Sequence, residues 1–157
     1  MLHHREQGSP PYLSLETEKA LHEFILNVIR EGVVQSAHDC SDGGLAVALV
    51  ECCVSAPDDR RGAVVRLCLD TLRRDALLFG ESQSRVVLSV KPEMADQVLN
   101  LARDSGVPAV KIGTVGGDRF VIDVEKGPRT EGCRIDLPID QLHERWAYSI
   151  ERTLNEA

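Results

Sequence analysis

The sequence predicts an α+β fold, a mixed β-sheet covered by helices, and three observations carry that prediction. Helical periodicity and strand-like alternation interleave along the chain without a strict strand-helix repeat, which favours a mixed sheet over a purely parallel one. Glycine-containing turns punctuate nearly every change of period. Hydrophobic residues make up 43% of the 157 residues and charged residues 27%, ordinary usage for a single domain that buries a core.

Residues 1–13 are polar, with Gly8 and Pro10-Pro11 opposing helix, and read as a linker or tail; the domain proper is expected over 14–157. Ser14 is a natural N-cap for a helix to about Arg30, with Glu16 and Glu18 at the positive end of its dipole. Leu21, Phe24, Ile25, Val28 and Ile29 form its inner stripe. Gly32 stops that helix and Val33–His38 reads as a strand. Asp39–Gly44 is then a tight turn, and the apolar run Leu45–Val54 a helix buried on most sides. A second strand is expected at Ala63–Leu69 and a short helix at Asp70–Phe79, with Leu72, Ala76 and Leu77 inward. Gly80 ends it, and Glu81–Ser84 is a polar bridge into the strand Arg85–Val90. Pro92 opens a helix bearing Met94, Val98, Leu99 and Ala102, stopped at Ser105-Gly106. Ala109–Val115 and Arg119–Val124 read as a hairpin about Gly116-Gly117-Asp118. A strand at Cys133–Leu137 leads to one terminal helix, with Leu142, Trp146 and Ile150 on one face.

The formal charge is −7, from 18 basic and 25 acidic residues, with no basic cluster beyond Arg60-Arg61 and Arg73-Arg74. This opposes a duplex-binding surface, so no nucleic-acid partner is expected. No run of 18 apolar residues and no signal-like N-terminus is present, so no membrane partner is expected and the cytoplasm is the expected location. Cys40, Cys52, Cys53, Cys68 and Cys133 are odd in number and lack a C-x-x-C pair; buried thiols are expected, without disulfides or structural zinc.

Two stretches could carry chemistry. Asp39-Cys40-Ser41-Asp42-Gly43-Gly44 opens a helix, where successive N–H groups and the dipole favour a phosphate, and Asp39 or Asp42 could hold Mg²⁺. Equally, Ser41 or Asp42 could cap the helix while the glycines allow close packing. Glu81-Ser82-Gln83 offers an acceptor, a hydroxyl and an amide for a polar ligand, or it is a plain hydrophilic turn. His38 could be a base or ligand, but a histidine at a strand end is more often structural. No metal spacing and no Ser/His/Asp arrangement is found.

Taken in order, SAHDCSDGGLAVALVE (Ser36 to Glu51), LFGESQSRVVLSV (Leu78 to Val90) and IGTVGGDRF (Ile112 to Phe120) resemble the C-terminal domain of phosphoribosylformylglycinamidine synthase, the FGAM synthase of purine biosynthesis. The resemblance covers about 14–150, and REQGSPP is similar to the family's interdomain linker. It implies the second B domain, with the fold of the AIR synthase C-terminal domain, in an enzyme of two A–B halves. It implies an ATP-dependent carbon-nitrogen ligase that converts formylglycinamide ribonucleotide (FGAR) to the amidine (FGAM), using ATP, Mg²⁺ and ammonia from a glutaminase subunit or domain. In the family the catalytic histidine and the principal metal carboxylates lie in the A domains. The resemblance therefore implies no catalytic residue and no metal ligand here, and inactivity of this domain alone. Glu81, Ser82 and Gln83 match an E-S-Q motif that contacts substrate in the family's first B domain. By pseudo-symmetry they, with Asp39, Ser41, Asp42, Gly43 and Gly44, would face the remaining domains near a second nucleotide site. Competing readings are a domain of AIR synthetase or selenophosphate synthetase, and a stand-alone non-catalytic binding module. An orphaned face would allow the isolated domain to form a homodimer.

Overall fold

A computed structural model describes residues 11–56, 58–68, 72–127 and 131–155. The expected tail therefore lies outside the described residues except for 11–13. The fold is α+β, with helices on a mixed sheet, as the interleaved periods predict. The strands, however, divide between two sheets and two cores.

The first core lies between α1 (Leu15–Arg30), α4 (Ala95–Asp104) and an antiparallel pair, β1 (Val34–Asp39) with β3 (Val86–Val90). Ser14 caps α1 as expected, its hydroxyl accepting the Thr17 N–H at 3.3 Å. Leu21, Phe24 and Val28 of α1 are buried with Val98 and Ala102 of α4, Val33 and Val107, while Ile29 is exposed. Val86, Leu88 and Val90 pack on this core and the intervening Val87 on the other, so the period of two in β3 joins the two. Pro92 opens a single 3-10 turn before α4, and Gly106 ends it at φ 68°.

The second core is larger. It holds α2 (Gly44–Val54), α3 (Arg74–Phe79) and α5 (Ile139–Ala147) against a four-stranded sheet ordered β4 (Gly113–Val115), β2 (Ala63–Leu67), β5 (Arg119–Val124), β6 (Cys133–Pro138). Six apolar side chains of α2 are buried, Leu45, Ala46, Ala48, Leu49, Cys53 and Val54, so its nearly continuous hydrophobic run is explained. Phe120, Ile122 and Val124 of β5 meet them from the sheet. The sheet's opposite face carries an ion ladder: Arg134 pairs with Asp123 at 2.7 Å and Asp136 at 3.1 Å, and Arg119 with Asp136 at 2.6 Å. These guanidiniums, Arg119 first, hold the Asp136 carboxyl below the usual carboxylate range.

Three expectations are corrected. The segments 109–115 and 119–124 do not form a hairpin: β2 lies between them, antiparallel to β4 and parallel to β5. The turn instead wraps the start of β2, where Gly62 N–H donates to the Gly117 carbonyl at 2.8 Å and Gly116 N–H to the Gly62 carbonyl at 2.7 Å. Glycine at 62 is what permits the insertion, since a Cβ there would lie 2.2 Å from the Arg119 carbonyl oxygen. The helix expected from Asp70 begins only at Arg74; residues 69–71 lie outside the described residues. Leu77 and Leu78 are its buried residues, whereas Leu72 and Ala76 are exposed. The terminal helix breaks at Tyr148 into α5 and α6 (Ser149–Asn155). Ile139 is buried and Leu142 half-buried, but Trp146 and Ile150 are exposed, so the apolar spacing there does not mark an inward face.

The threading of β2 yields a test. Gly62→Ala is expected to cost about 2–3 kcal/mol, because backbone rather than a yielding side chain meets the added carbon. Gly32→Ala, whose Cβ would touch nothing, pays only the left-handed backbone penalty of about 1 kcal/mol. Urea unfolding of both variants measures the difference.

Candidate functional site

The two stretches singled out in the sequence meet. Gly43 N–H donates to Glu81 Oε1 at 2.8 Å across 38 residues of chain, at the N-terminus of α2. Gly43 is the N-cap residue, with φ 76°, and no side chain of the turn caps the helix. Ser41 gives its hydroxyl hydrogen bond to the Asp39 carboxylate instead. Neither Ser41 nor Asp42 thus performs the capping that the local pattern allowed. A distant carboxylate does so, in the place where the helix dipole favours negative charge.

The glycines have a packing role. Gly44 has φ 69°, and a Cβ on it would lie 2.7 Å from the Gly80 carbonyl oxygen and 2.8 Å from Phe79 Cα. The start of α2 can therefore rest directly on the end of α3. Arg85 secures the other side of this contact, its guanidinium donating to the carbonyls of Gly80 at 2.9 Å and Leu77 at 3.2 Å. Cys40 N–H donates to the Arg85 carbonyl at 3.0 Å, so the bridge and the turn are tied at both ends. Local pattern missed Arg85; its available signal was a lone arginine five residues after a glycine-terminated helix, placed to meet orphan carbonyls.

Asp39, Ser41, Asp42, Glu81, Ser82 and Gln83 are all exposed, while Gly43 is half-buried and Gly44 buried. The result is an open polar edge, walled by two helix ends. Gln83 Nε2 donates to the Tyr12 carbonyl at 2.7 Å, and the Ser84 hydroxyl donates to Glu18.

His38 stands behind this edge. Its Nδ1 meets the Asp39 carbonyl at 2.6 Å and its Nε2 lies 3.3 Å from Glu51 of α2. The Trp146 indole N–H donates to the same Glu51 carboxylate at 3.1 Å. The histidine is therefore a strut between β1 and α2, extended to α5 by Trp146 through Glu51, and sequence spacing revealed neither contact. Cys40 and Cys53 are buried, Cys52 and Cys133 half-buried and Cys68 exposed. Burial pushes the Cys53 thiol up to about 11 and also raises Cys40, whose rise Arg85 opposes.

Two outcomes follow from this geometry. Glu81→Ala is expected to lower stability by about 1 kcal/mol, the scale of a lost N-cap, with Glu81→Gln keeping part of it. Urea titration decides. Cys53 should resist thiol reagents at pH 8 in the folded chain, because the thiolate that reacts becomes the main form only near pH 11. Mass-resolved labelling across pH measures this, with the unfolded chain as the reactive control.

Comparison with known proteins agrees with this architecture. The family model described as AIR synthase related protein, C-terminal domain, matches residues 3–125. Phosphoribosylformylglycinamidine synthase subunit PurL of Caldanaerobacter subterraneus subsp. tengcongensis is 47% identical over 140 residues, which is 89% of this chain and 18% of that protein. The structure of PurLQS from Thermotoga maritima superposes with a TM-score of 0.68 at 23% identity, over 86% of this chain and 23% of that one. The Thermotoga PurL structures complexed with ATP and with FGAR each superpose at 0.64, with 23% and 25% identity, over 80% of this chain and 21% of theirs. The chain thus spans about a fifth of the length of the relatives it matches. It belongs to the AIR synthase related protein C-terminal domain family, among relatives named as the PurL subunit of phosphoribosylformylglycinamidine synthase.

Proposed function

We propose that this chain serves as the C-terminal B domain of an FGAM synthase, the ligase that converts FGAR to FGAM with ATP and glutamine-derived ammonia. The domain, over 14–157, follows a linker at 1–13 and acts in the cytoplasm. Its partners are the remaining domains of that enzyme and the glutaminase that supplies ammonia. The observation that carries the reading is the meeting of Gly43 with Glu81, which brings the exposed residues Asp39, Ser41 and Asp42 to Glu81, Ser82 and Gln83 along one edge, with Gly43 half-buried and Gly44 buried at its base.

The role of that edge is to complete a wall against a companion domain. Glu81 already supplies the negative charge that the N-terminus of α2 favours, and a nucleotide phosphate would have to compete with it for the Gly43 N–H. The hydroxyls of Ser41 and Ser82 and the carboxylate of Asp42 are suited to polar contacts across an interface. Among the described residues no group of three or more His, Cys, Asp or Glu side chains could hold a metal ion. Mg²⁺ is assigned to the parent enzyme, and no step is routed through it here. What this chain does chemically is orient backbone and hydroxyl donors, held rigid by the α2–α3 contact, beside a reaction carried by other domains.

The test is FGAR-dependent ATP hydrolysis. The chain alone should show none, and adding an FGAM synthase polypeptide that lacks its C-terminal fifth should produce turnover. Ser82→Ala with Asp42→Ala is expected to lower that restored turnover about tenfold, or about 1.4 kcal/mol, without changing the melting temperature of the chain. Turnover by the chain alone, or failure of every combination to turn over, would overturn the reading.

A further inference from the structure

Gln83 has a partner that its sequence neighbours do not suggest. Its amide Nε2 donates to the backbone carbonyl of Tyr12 at 2.7 Å, 71 residues earlier. The next residue, Ser84, donates its hydroxyl to the carboxylate of Glu18 in the first turn of α1. Glu18 is only 17% exposed and also faces His22 at 3.4 Å, so it is held from both sides. Ser84 has φ 65°, the one positive φ among the non-glycine residues described. Such a conformation persists where the surroundings determine it, and here it sits at the step that brings two successive side chains to the same short segment.

We propose that Gln83 and Ser84 form a clamp on the chain leading into α1, and that Gln83 acts as a positioning residue for that segment rather than as a ligand contact. The polar bridge then divides its work. Glu81 holds the N-terminus of α2, and two residues on, the same bridge holds residues 12–18. The path of this segment matters because Tyr12, Leu13 and Leu15 are 91%, 52% and 76% exposed, so burial of their own side chains does not anchor it. The Ser14 cap orders the helix from within, since both of its hydrogen bonds, to Thr17 and Glu18 N–H, stay inside α1. The two contacts from the bridge tie residues 12–18 to the domain ahead of the core packing of Leu21, Phe24 and Val28. The clamp stands independently of the functional reading; only its consequence, a set direction for polypeptide preceding the domain, rests on it.

Chymotryptic cleavage after Tyr12 and Leu13 in the full chain tests the proposal without any ligand. Gln83→Glu keeps the size of the side chain but turns a carboxylate toward a carbonyl, and Ser84→Ala removes only the hydroxyl. Each is expected to raise cleavage at these two positions about tenfold, with the melting temperature unchanged, while Glu81→Gln leaves it unchanged. Amide exchange of residues 12–18, taken relative to α4, should rise in parallel. If Gln83→Glu lowers global stability, Ser84→Ala and the exchange ratio decide. Unchanged cleavage and exchange in the folded variants would overturn the clamp. So would Glu81→Gln raising cleavage as much as Gln83→Glu, since the whole bridge would then move as one. A negative result in the turnover assay leaves these readouts untouched, so the two proposals fail separately.

Discussion

Two helix ends of opposite polarity meet in this domain, and most of the rest is arranged to keep them together. The N-terminus of α2 presents unsatisfied N–H groups and the C-terminus of α3 unsatisfied carbonyls. Gly44, without a side chain, lets the two backbones touch at Phe79 and Gly80. The bridge that leaves α3 then supplies both missing partners within five residues, the Glu81 carboxylate for α2 and the Arg85 guanidinium for α3. Each charge sits at the helix end whose dipole favours it. This explains why an acidic and a basic residue flank one short polar bridge.

The same junction determines which polar groups of the two motifs reach the surface. Because α2 is buried from Gly44 along most of its length, the turn that precedes it, with Ser41 and Asp42 exposed, is where this end of the helix meets the surface, and Glu81 and Ser82 arrive there with it. On the four-stranded sheet, the face away from the helices carries, on β5 and β6, Arg119, Asp123, Arg134 and Asp136, which are ion-paired with one another. The polar edge at Gly43 and Glu81 differs in that it offers backbone, hydroxyl and carboxylate groups together on a rigid base. His38 adds to that rigidity by tying the Asp39 carbonyl to Glu51, and through it to Trp146. A wall of fixed donors and acceptors suits a domain that completes a site assembled from a longer polypeptide.

Much of this was legible in the sequence wherever the cause is local. The Ser14 cap, the inner stripe of α1, the left-handed stop at Gly32 and the buried run of α2 each follow from a few adjacent residues. The order of strands in the larger sheet was not legible, because β2 separates two segments that are sequence neighbours. The clue lay in Gly62 and Gly113, each of whose missing side chains makes room for backbone of an adjacent strand. Apolar spacing at Leu142, Trp146 and Ile150 was misleading for a related reason: periodicity reports which residues share a face, not whether anything covers it. The edge itself was half legible. Its residues stood out as two motifs, but the bond between Gly43 and Glu81 spans 38 residues and leaves no local pattern. The absence of a capping side chain at Gly43 was the only hint that an acceptor must come from elsewhere.

Amide hydrogen exchange of the chain, free and joined to the preceding domains of an FGAM synthase, measures most directly whether the edge is a docking wall. The account predicts added protection concentrated at residues 39–44 and 81–84, with little change on the ion ladder of β5 and β6. Protection that falls on the ladder, and leaves the helix junction exchanging as it does in the free chain, would contradict it.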